Sequence, residues 1–195
     1  TLWGTAEVVD LPHYIRVVTR PGRADLAELR ERLESATNPF MLVGGSGWTP
    51  ESLAQVRSFA ERFDLPVGVS WRRLECFDQQ HPNFAGHVGW GMPDELRQRV
   101  READLLLAIG SRLGEATTEG YTVVESPRPR QALIHVHADP CELGRVFQPT
   151  QAICASNAGF AEALVELTPT RTPSWSDCTR AANTSYLTTL LPLES

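Results

Sequence analysis

The sequence contains no lysine, and all 18 of its basic residues are arginine. Lysine amines form Schiff bases with carbonyl substrates and contact the phosphates in Walker-type loops, so both kinds of site are excluded. Positive charge is also in the minority, because 24 acidic residues give a formal net charge of −6 and no basic run is present. This balance disfavours a nucleic-acid partner, since surfaces that bind nucleic acid usually carry a clear basic excess.

Cysteine is scarce, with four residues at positions 76, 141, 154 and 178 and no C-x-x-C pair. The cysteines and histidines show no zinc-finger spacing, so we expect no structural metal site. Long apolar runs are also missing, whereas a membrane-spanning helix needs roughly 20 consecutive apolar residues. Because no signal peptide is recognisable either, we expect a cytoplasmic protein with reduced thiols and no membrane partner.

The 195 residues, 42% hydrophobic and 22% charged, are enough for one soluble domain of ordinary size. Segments with apolar residues at helical spacing alternate with short apolar runs that are typical of buried strands. The predicted helices cover residues 23–36, 50–63, 93–103, 158–167 and 175–191, with Thr49 and Asn157 as N-caps of the second and fourth. The predicted strands cover residues 40–43, 66–70, 105–109, 132–136 and 152–155, with further short candidates at 14–18 and 121–124, and residues 71–91 are predicted to be irregular. The alternation predicts an α/β fold, a doubly wound and mainly parallel sheet of about five to six strands with helices on both faces.

Two glycine-containing turns follow predicted strands, at the edge where such sheets bind ligands. The first holds Gly44, Gly45 and Gly47, and it is either a ligand cradle or a tight structural turn. It departs from the dinucleotide fingerprint, because Pro50 takes the place of the third glycine. Residues 71–73, Trp-Arg-Arg, stand where an acidic residue is expected, so a conventional NAD site is disfavoured. The arginines there suit a 2′-phosphate or lie in a solvated loop.

The second turn holds Gly110, Ser111 and Arg112, and its hydroxyl and guanidinium groups suit a phosphate or a ribose. A solvated surface turn is the alternative. Asp139 follows another strand and either accepts from a ribose or adenine or caps the turn at Pro140. No G-x-S-x-G elbow occurs and the histidines lack metal-ligand spacing on any one helix, so we assign no catalytic or metal residue.

In order along the chain, these motifs resemble the central domain of thiamine-diphosphate-dependent enzymes of the acetolactate synthase-like group. The resemblance extends from about residue 20 to residue 168. Its most similar stretches are residues 38–47, 64–67, 81–89, 103–113 and 134–144.

The resemblance implies a six-stranded, parallel, Rossmann-like domain of the DHS-like NAD/FAD-binding type, between pyrimidine-binding and diphosphate-binding domains. In some relatives this domain holds FAD or the ADP portion of a coenzyme A compound, and in others it is purely structural. The positions that would line the nucleotide site are Gly44, Gly45, Gly47, Gly110, Ser111, Arg112 and Asp139. Two departures from the family pattern weaken the case for a flavin in this chain. His137 stands where many relatives carry an acid, and residues 113–116 lack the Phe-Asp-Asp run of flavin-binding relatives.

The family needs thiamine diphosphate and Mg²⁺, and the Mg²⁺-binding Gly-Asp-Gly…Asn motif does not occur in this sequence. We therefore expect residues 1–19 and 169–195 to connect to an N-terminal and a C-terminal domain of a larger, homo-oligomeric decarboxylase or carboligase acting on 2-oxo acids. The 195 residues alone are expected to be inactive. The alternatives are a free-standing nucleotide-binding enzyme with a fold like that of NAD-consuming deacylases, and a stand-alone module that binds NADP, coenzyme A or FAD.

Overall fold

Two wholly buried strands form the centre of a six-stranded parallel sheet in the computed structural model, which describes residues 3–191. The strands are β1 (Pro39–Val43), β2 (Val67–Ser70), β3 (Phe84–Val88), β4 (Leu105–Ile109), β5 (Ala132–His137) and β6 (Gln151–Cys154). The helices are α1 (Arg23–Ser35), α2 (Pro50–Arg62), α3 (Asp94–Glu102), α4 (Asn157–Leu164) and α5 (Ser176–Thr188). The predicted α/β fold is confirmed.

The sheet separates two hydrophobic cores, because successive side chains of a strand point to opposite faces. In β4, Leu105, Leu107 and Ile109 face one core, and Leu106 and Ala108 face the other. Helices α1, α2 and α4 cover the first face, whereas α3 and apolar residues of the loops around β5 cover the second. A strand that is buried on both faces needs a continuous apolar run, which is why β1 and β4 were recognisable in the sequence.

The strand order is β3-β2-β1-β4-β5-β6, with β1 and β4 side by side at the centre. From β1 the chain winds outward through β2 and β3, and from β4 it winds the other way through β5 and β6. The register joins Met41 to Leu107 and Val43 to Ile109, so the two central strands end together. Their carboxyl ends form the topological switch point, the place where ligands bind in open α/β sheets.

The edge strand β3 lies inside the stretch that was predicted to be irregular, so that prediction was wrong. Its sequence, with Gly86 and His87 in place of an unbroken apolar run, hides its strand character. The pairing with β2 is also irregular, because the register shifts between Val67 and Gly68. Pairing with a neighbouring strand and burial beneath α5 stabilise this segment, and neither can be seen in local sequence.

Two short strand candidates are also wrong. Residues 121–124 coil in consecutive turns, with the Val123 amide donating to the Thr118 carbonyl over 3.2 Å. Val123 and Val124 are nevertheless buried, which explains the apolar pattern without a strand. Residues 14–18 form no strand and are exposed.

The N-cap predicted for α2 is confirmed, because Thr49 Oγ1 accepts from the Ser52 amide over 3.1 Å. The N-cap predicted for α4 is wrong by one residue. Ser156 Oγ accepts from the Gly159 amide over 3.2 Å, whereas Asn157 is the first helical residue. Both serine and asparagine are good caps, so the sequence did not distinguish them.

Helix α5 packs on the edge of the sheet and is anchored by the indole of Trp175, which is 4% exposed. Its Nε1 donates to the carbonyls of Phe63 and Asp64, each over 3.0 Å. Asn183 Nδ2 donates to the Phe84 carbonyl over 2.9 Å at the start of β3. The helix predicted over 175–191 therefore shares the core of the sheet. Among the described residues, no helix is both long enough and apolar enough to span a membrane.

We predict that Trp175→Ala lowers the free energy of unfolding by about 3 kcal/mol. The substitution opens a cavity in the core and removes the N–H group that donates to the carbonyls of Phe63 and Asp64. Urea denaturation followed by circular dichroism measures the change. Trp3→Ala is the matched control, because Trp3 is 95% exposed and its loss should be nearly neutral. Equal unfolding midpoints for the two variants would contradict the packing of α5.

Candidate functional site

The two glycine-containing turns meet backbone to backbone above β1 and β4. The Gly44 amide donates to the Ile109 carbonyl over 2.9 Å, and the Gly110 amide donates to the Val136 carbonyl over 2.8 Å. Gly45 and Gly110 both have φ at +72°, and a Cβ on Gly45 would overlap the Gly110 carbonyl oxygen. A Cβ on Gly110 would lie 2.5 Å from the Gly44 carbonyl oxygen. Only glycine fits both positions.

The carbonyls of the first turn are occupied by protein donors. Trp48 Nε1 donates to the Gly44 carbonyl over 2.8 Å, and Asn157 Nδ2 donates to the Ser46 carbonyl over 3.0 Å. Arg16 Nη1 donates to the Gly47 carbonyl over 3.2 Å. These contacts fix the orientation of the peptide units in the turn.

The amides of Gly45, Ser46 and Gly47 donate to no protein acceptor within residues 3–191. The turn leads directly into the N-terminus of α2, where the helix dipole favours negative charge. Free amides in a left-handed glycine turn ahead of a helix are a typical anion-binding arrangement. The first turn thus combines the features of an anion-binding turn with those of a tight structural turn, the two roles that the sequence left open.

The second turn is held from below by β5. Ser111 is buried, and its carbonyl accepts from His135 Nε2 over 2.8 Å, which places the proton of the neutral ring on Nε2. Burial lowers the pKa of His135, so the ring stays neutral near neutral pH. Ser111 Oγ accepts from the Leu113 amide over 3.3 Å, whereas Arg112 is exposed. The turn thus presents one fixed serine and one free guanidinium.

The two turns border an open cleft of about 700 Å³, which is within the range of small-molecule sites. Of the seven residues predicted to line a nucleotide site, Gly45, Gly110, Ser111 and Arg112 line this cleft, and Gly44, Gly47 and Asp139 do not. Sequence reasoning did not assign several further lining residues to the site. They include Ser46, Ser70, Thr117, His137 and Asn157. The segment 71–73, whose arginines the sequence offered either for a 2′-phosphate or as part of a solvated loop, contributes Trp71 and Arg73 to the lining.

Asp139 lies away from the cleft and is exposed. Its carboxylate accepts from the Cys141 amide over 2.9 Å and so caps the short 3₁₀ turn Pro140–Glu142. Of the two roles considered for Asp139, a contact with a ribose or adenine and a cap of the turn at Pro140, this hydrogen bond corresponds to the cap. The histidine two residues earlier, His137, lines the cleft instead.

A second cavity lies between α3 and α5 and measures about 140 Å³. Its lining includes Met92, Leu96, Ala182 and Tyr186. It is too small for a nucleotide, since ligand sites usually occupy about 300–1,000 Å³. The cleft above the glycine turns is the candidate site, because it measures about 700 Å³ and lies at the topological switch point.

Within residues 3–191, no group of three or more histidine, cysteine, aspartate or glutamate side chains could hold a metal ion. The buried cysteine offers no nucleophile, because burial raises the pKa of the Cys76 thiol to about 12. The cleft is thus equipped to bind a ligand through backbone amides, hydroxyls and guanidinium groups.

We predict that Gly45→Ala destabilises the protein far more than Gly120→Ala. Gly120 has φ at +70° with nothing within 4 Å of a Cβ, so its substitution should cost only about 1 kcal/mol from the left-handed conformation. Gly45→Ala should cost about 2 kcal/mol more, because the two turns must also separate. Chemical denaturation of both variants measures the difference, and equal costs would show that the turns do not press together.

A family model described as "Thiamine pyrophosphate enzyme, central domain" matches residues 26–164. The acetolactate synthase large subunit of Corynebacterium glutamicum is 28% identical over 160 residues, covering 82% of this chain and 25% of that protein. A sulfoacetaldehyde acetyltransferase of Alcaligenes xylosoxydans xylosoxydans is 29% identical over 125 residues, covering 64% of this chain and 21% of that protein. The chloroplastic acetolactate synthase 1 of Zea mays is 31% identical over 148 residues, covering 75% and 22%.

The chain spans about a quarter of the length of these relatives. The family match covers both glycine-containing turns and all six strands of the sheet. The fold and the sequence agree, and the chain belongs to the family of thiamine pyrophosphate enzyme central domains.

Proposed function

We propose that this chain is the central domain of a thiamine-diphosphate-dependent lyase or transferase that decarboxylates or ligates 2-oxo acids in the cytoplasm. The names of its relatives support this proposal, since they include acetolactate synthases and sulfoacetaldehyde acetyltransferases. In this proposal the family domain covers residues 20–168, with α5 packed on the edge of its sheet, and residues 1–19 and 169–195 lead toward pyrimidine-binding and diphosphate-binding domains. The parent enzyme is a homo-oligomer in this proposal.

The second part of the proposal is that the cleft binds the ADP portion of a nucleotide, such as FAD or a coenzyme A compound. The observation that carries it is the pair of glycine turns at the switch point, with free amides on Gly45, Ser46 and Gly47 above β1. The amides of Gly45 and Ser46, the two residues of this turn that line the cleft, would hold the diphosphate. Ser111 and Arg112 would contact the second phosphate or a ribose from the facing turn.

Within residues 3–191, no group of three or more histidine, cysteine, aspartate or glutamate side chains could hold the Mg²⁺ that accompanies thiamine diphosphate. The proposal therefore assigns both to the neighbouring domains of the parent enzyme. The thiamine cofactor supplies the carbanion chemistry there, and this domain supplies a rigid support. A nucleotide bound in the cleft would stiffen the two turns.

We predict that FAD, ADP or coenzyme A raises the melting temperature of this chain. A ligand present at 100 times its Kd stabilises the folded state by about 2.7 kcal/mol, which is a shift of several degrees at this size. Differential scanning fluorimetry measures the shift, and a yellow purified protein would identify a flavin directly. Gly45→Ala should abolish the shift, and Gly120→Ala, the control, should retain it.

The absence of a shift with every nucleotide would refute the binding proposal and leave a purely structural role. The stand-alone module that binds NADP, coenzyme A or FAD also predicts a shift, because it places the nucleotide in the same cleft. The two proposals differ in what flanks the 195 residues in the gene. A Gly-Asp-Gly…Asn motif encoded beside the 195 residues supports the thiamine enzyme. A start codon just before them and a stop codon just after them support the stand-alone module.

We also predict that the 195 residues alone do not turn over a 2-oxo acid. With thiamine diphosphate, Mg²⁺ and pyruvate, carbon dioxide release should equal that of a blank without protein. The reason is that the described residues lack the metal ligands that anchor the cofactor diphosphate. Release above the blank that scales with protein concentration would contradict the assignment of catalysis to other domains.

A further inference from the structure

The lining of the cleft is basic although the protein as a whole is acidic. Arg73, Arg112 and His137 line the cleft, and Glu115 is its one acidic lining residue within the described part of the chain. The chain carries a formal net charge of −6. A local excess of positive charge in a cleft favours an anionic ligand. The proposed function already assigns a diphosphate to the first glycine turn, so the arginines are available for a further anionic group.

The arginines follow β2, which is the strand next to β1 in the sheet. In a doubly wound sheet of this strand order, the residue after the second strand meets the ribose of the adenosine. A carboxylate at this place accepts from a free 2′-hydroxyl, whereas an arginine accommodates a phosphate on the ribose. Here residues 71–73 are Trp-Arg-Arg, and Glu75 does not line the cleft.

The two arginines of this segment are not equivalent. Arg72 has φ at +59°, and its guanidinium carbon lies 5.8 Å from the centre of the Trp71 ring, outside the cleft lining. Arg73 lines the cleft and contacts Glu75 through one Nη1–Oε1 pair of 3.2 Å. Both side chains of that pair are substantially exposed, so the pair holds Arg73 only weakly. The remaining N–H groups of the Arg73 fork can reach a ligand.

Trp71 gives the same end of the cleft a rigid wall. Its ring packs on His87 of β3 with centroids 5.3 Å apart, and it also lines the cleft. A wall that is fixed from behind limits where a ribose can lie and keeps it beside Arg73. An arginine beside a fixed aromatic surface suits a bidentate contact with a phosphate.

We propose that the cleft selects nucleotides that carry a phosphate on the adenosine ribose, and that Arg73 is the residue that reads this phosphate. The inference rests on the proposed binding of an ADP portion and adds its specificity. Both 2′-phosphorylated nucleotides, such as NADP⁺, and 3′-phosphorylated ones, such as coenzyme A, present this chemistry.

Two matched ligand pairs test the inference by isothermal titration calorimetry: NADP⁺ against NAD⁺, and coenzyme A against 3′-dephospho-coenzyme A. The members of each pair differ by the ribose phosphate alone. The first pair therefore tests recognition of a 2′-phosphate, and the second pair tests recognition of a 3′-phosphate. We expect the phosphorylated member of at least one pair to bind about tenfold more tightly, the change that one charge-assisted hydrogen bond makes. Arg73→Gln should remove this preference, and Arg73→Lys should restore part of it.

Arg180→Gln is the control, because it removes the same charge from an exposed arginine of α5 that pairs with Asp177. It should leave the preference unchanged. Binding without preference, or a preference that survives Arg73→Gln, overturns the inference while nucleotide binding stands. A preference lost in His137→Gln but not in Arg73→Gln overturns the assignment to Arg73. Failure of all four ligands and of ADP refutes the proposed nucleotide binding on which the inference rests. If a variant does not fold, the comparison of the ligand pairs on the wild-type protein still decides the selectivity.

Discussion

The close contact of two backbone turns above β1 and β4 is the constraint on which the rest of the site depends. A Cβ on Gly45 would overlap the Gly110 carbonyl oxygen, and a Cβ on Gly110 would overlap the Asn157 side-chain amide and the Gly44 carbonyl oxygen, so neither position has room for one. The approach is set by the register of the central strands, in which Val43 pairs with Ile109 and both strands end at the same level. The packing of the sheet thereby determines the shape of the cleft mouth.

Side-chain hydrogen bonds to its carbonyl oxygens fix the first turn. Donors from Trp48, Asn157 and Arg16 hold the carbonyls of Gly44, Ser46 and Gly47. The carbonyls are thus occupied, whereas the amides of Gly45, Ser46 and Gly47 have no protein acceptor within residues 3–191. Binding through a backbone that is already oriented costs little ordering entropy, which is how a small rigid turn can hold a diphosphate. In the proposed function the domain would therefore bind its ligand through a preorganised backbone rather than through reactive side chains.

The parts of this arrangement that depend on local sequence were predictable. The apolar runs of β1 and β4 and the glycines that follow them indicated strands and turns at the correct places. The parts that depend on distant contacts were not. Asn157 contacts a turn that lies more than 100 positions earlier in the chain, and its sequence context suggested only a helix cap. Edge strand β3 depends on pairing with β2 and on the cover of α5, so its mixed sequence gave no local signal.

The central claim is that both glycine turns hold one anionic nucleotide through their backbone. Hydrogen–deuterium exchange with and without saturating ADP tests it most directly, because the amides of residues 45–47 have no protein acceptor within the described chain and should exchange rapidly when free. The account predicts that ADP slows exchange in peptides covering residues 44–48 and 110–113 together. Unchanged exchange at both turns under conditions where calorimetry shows ADP bound would contradict it.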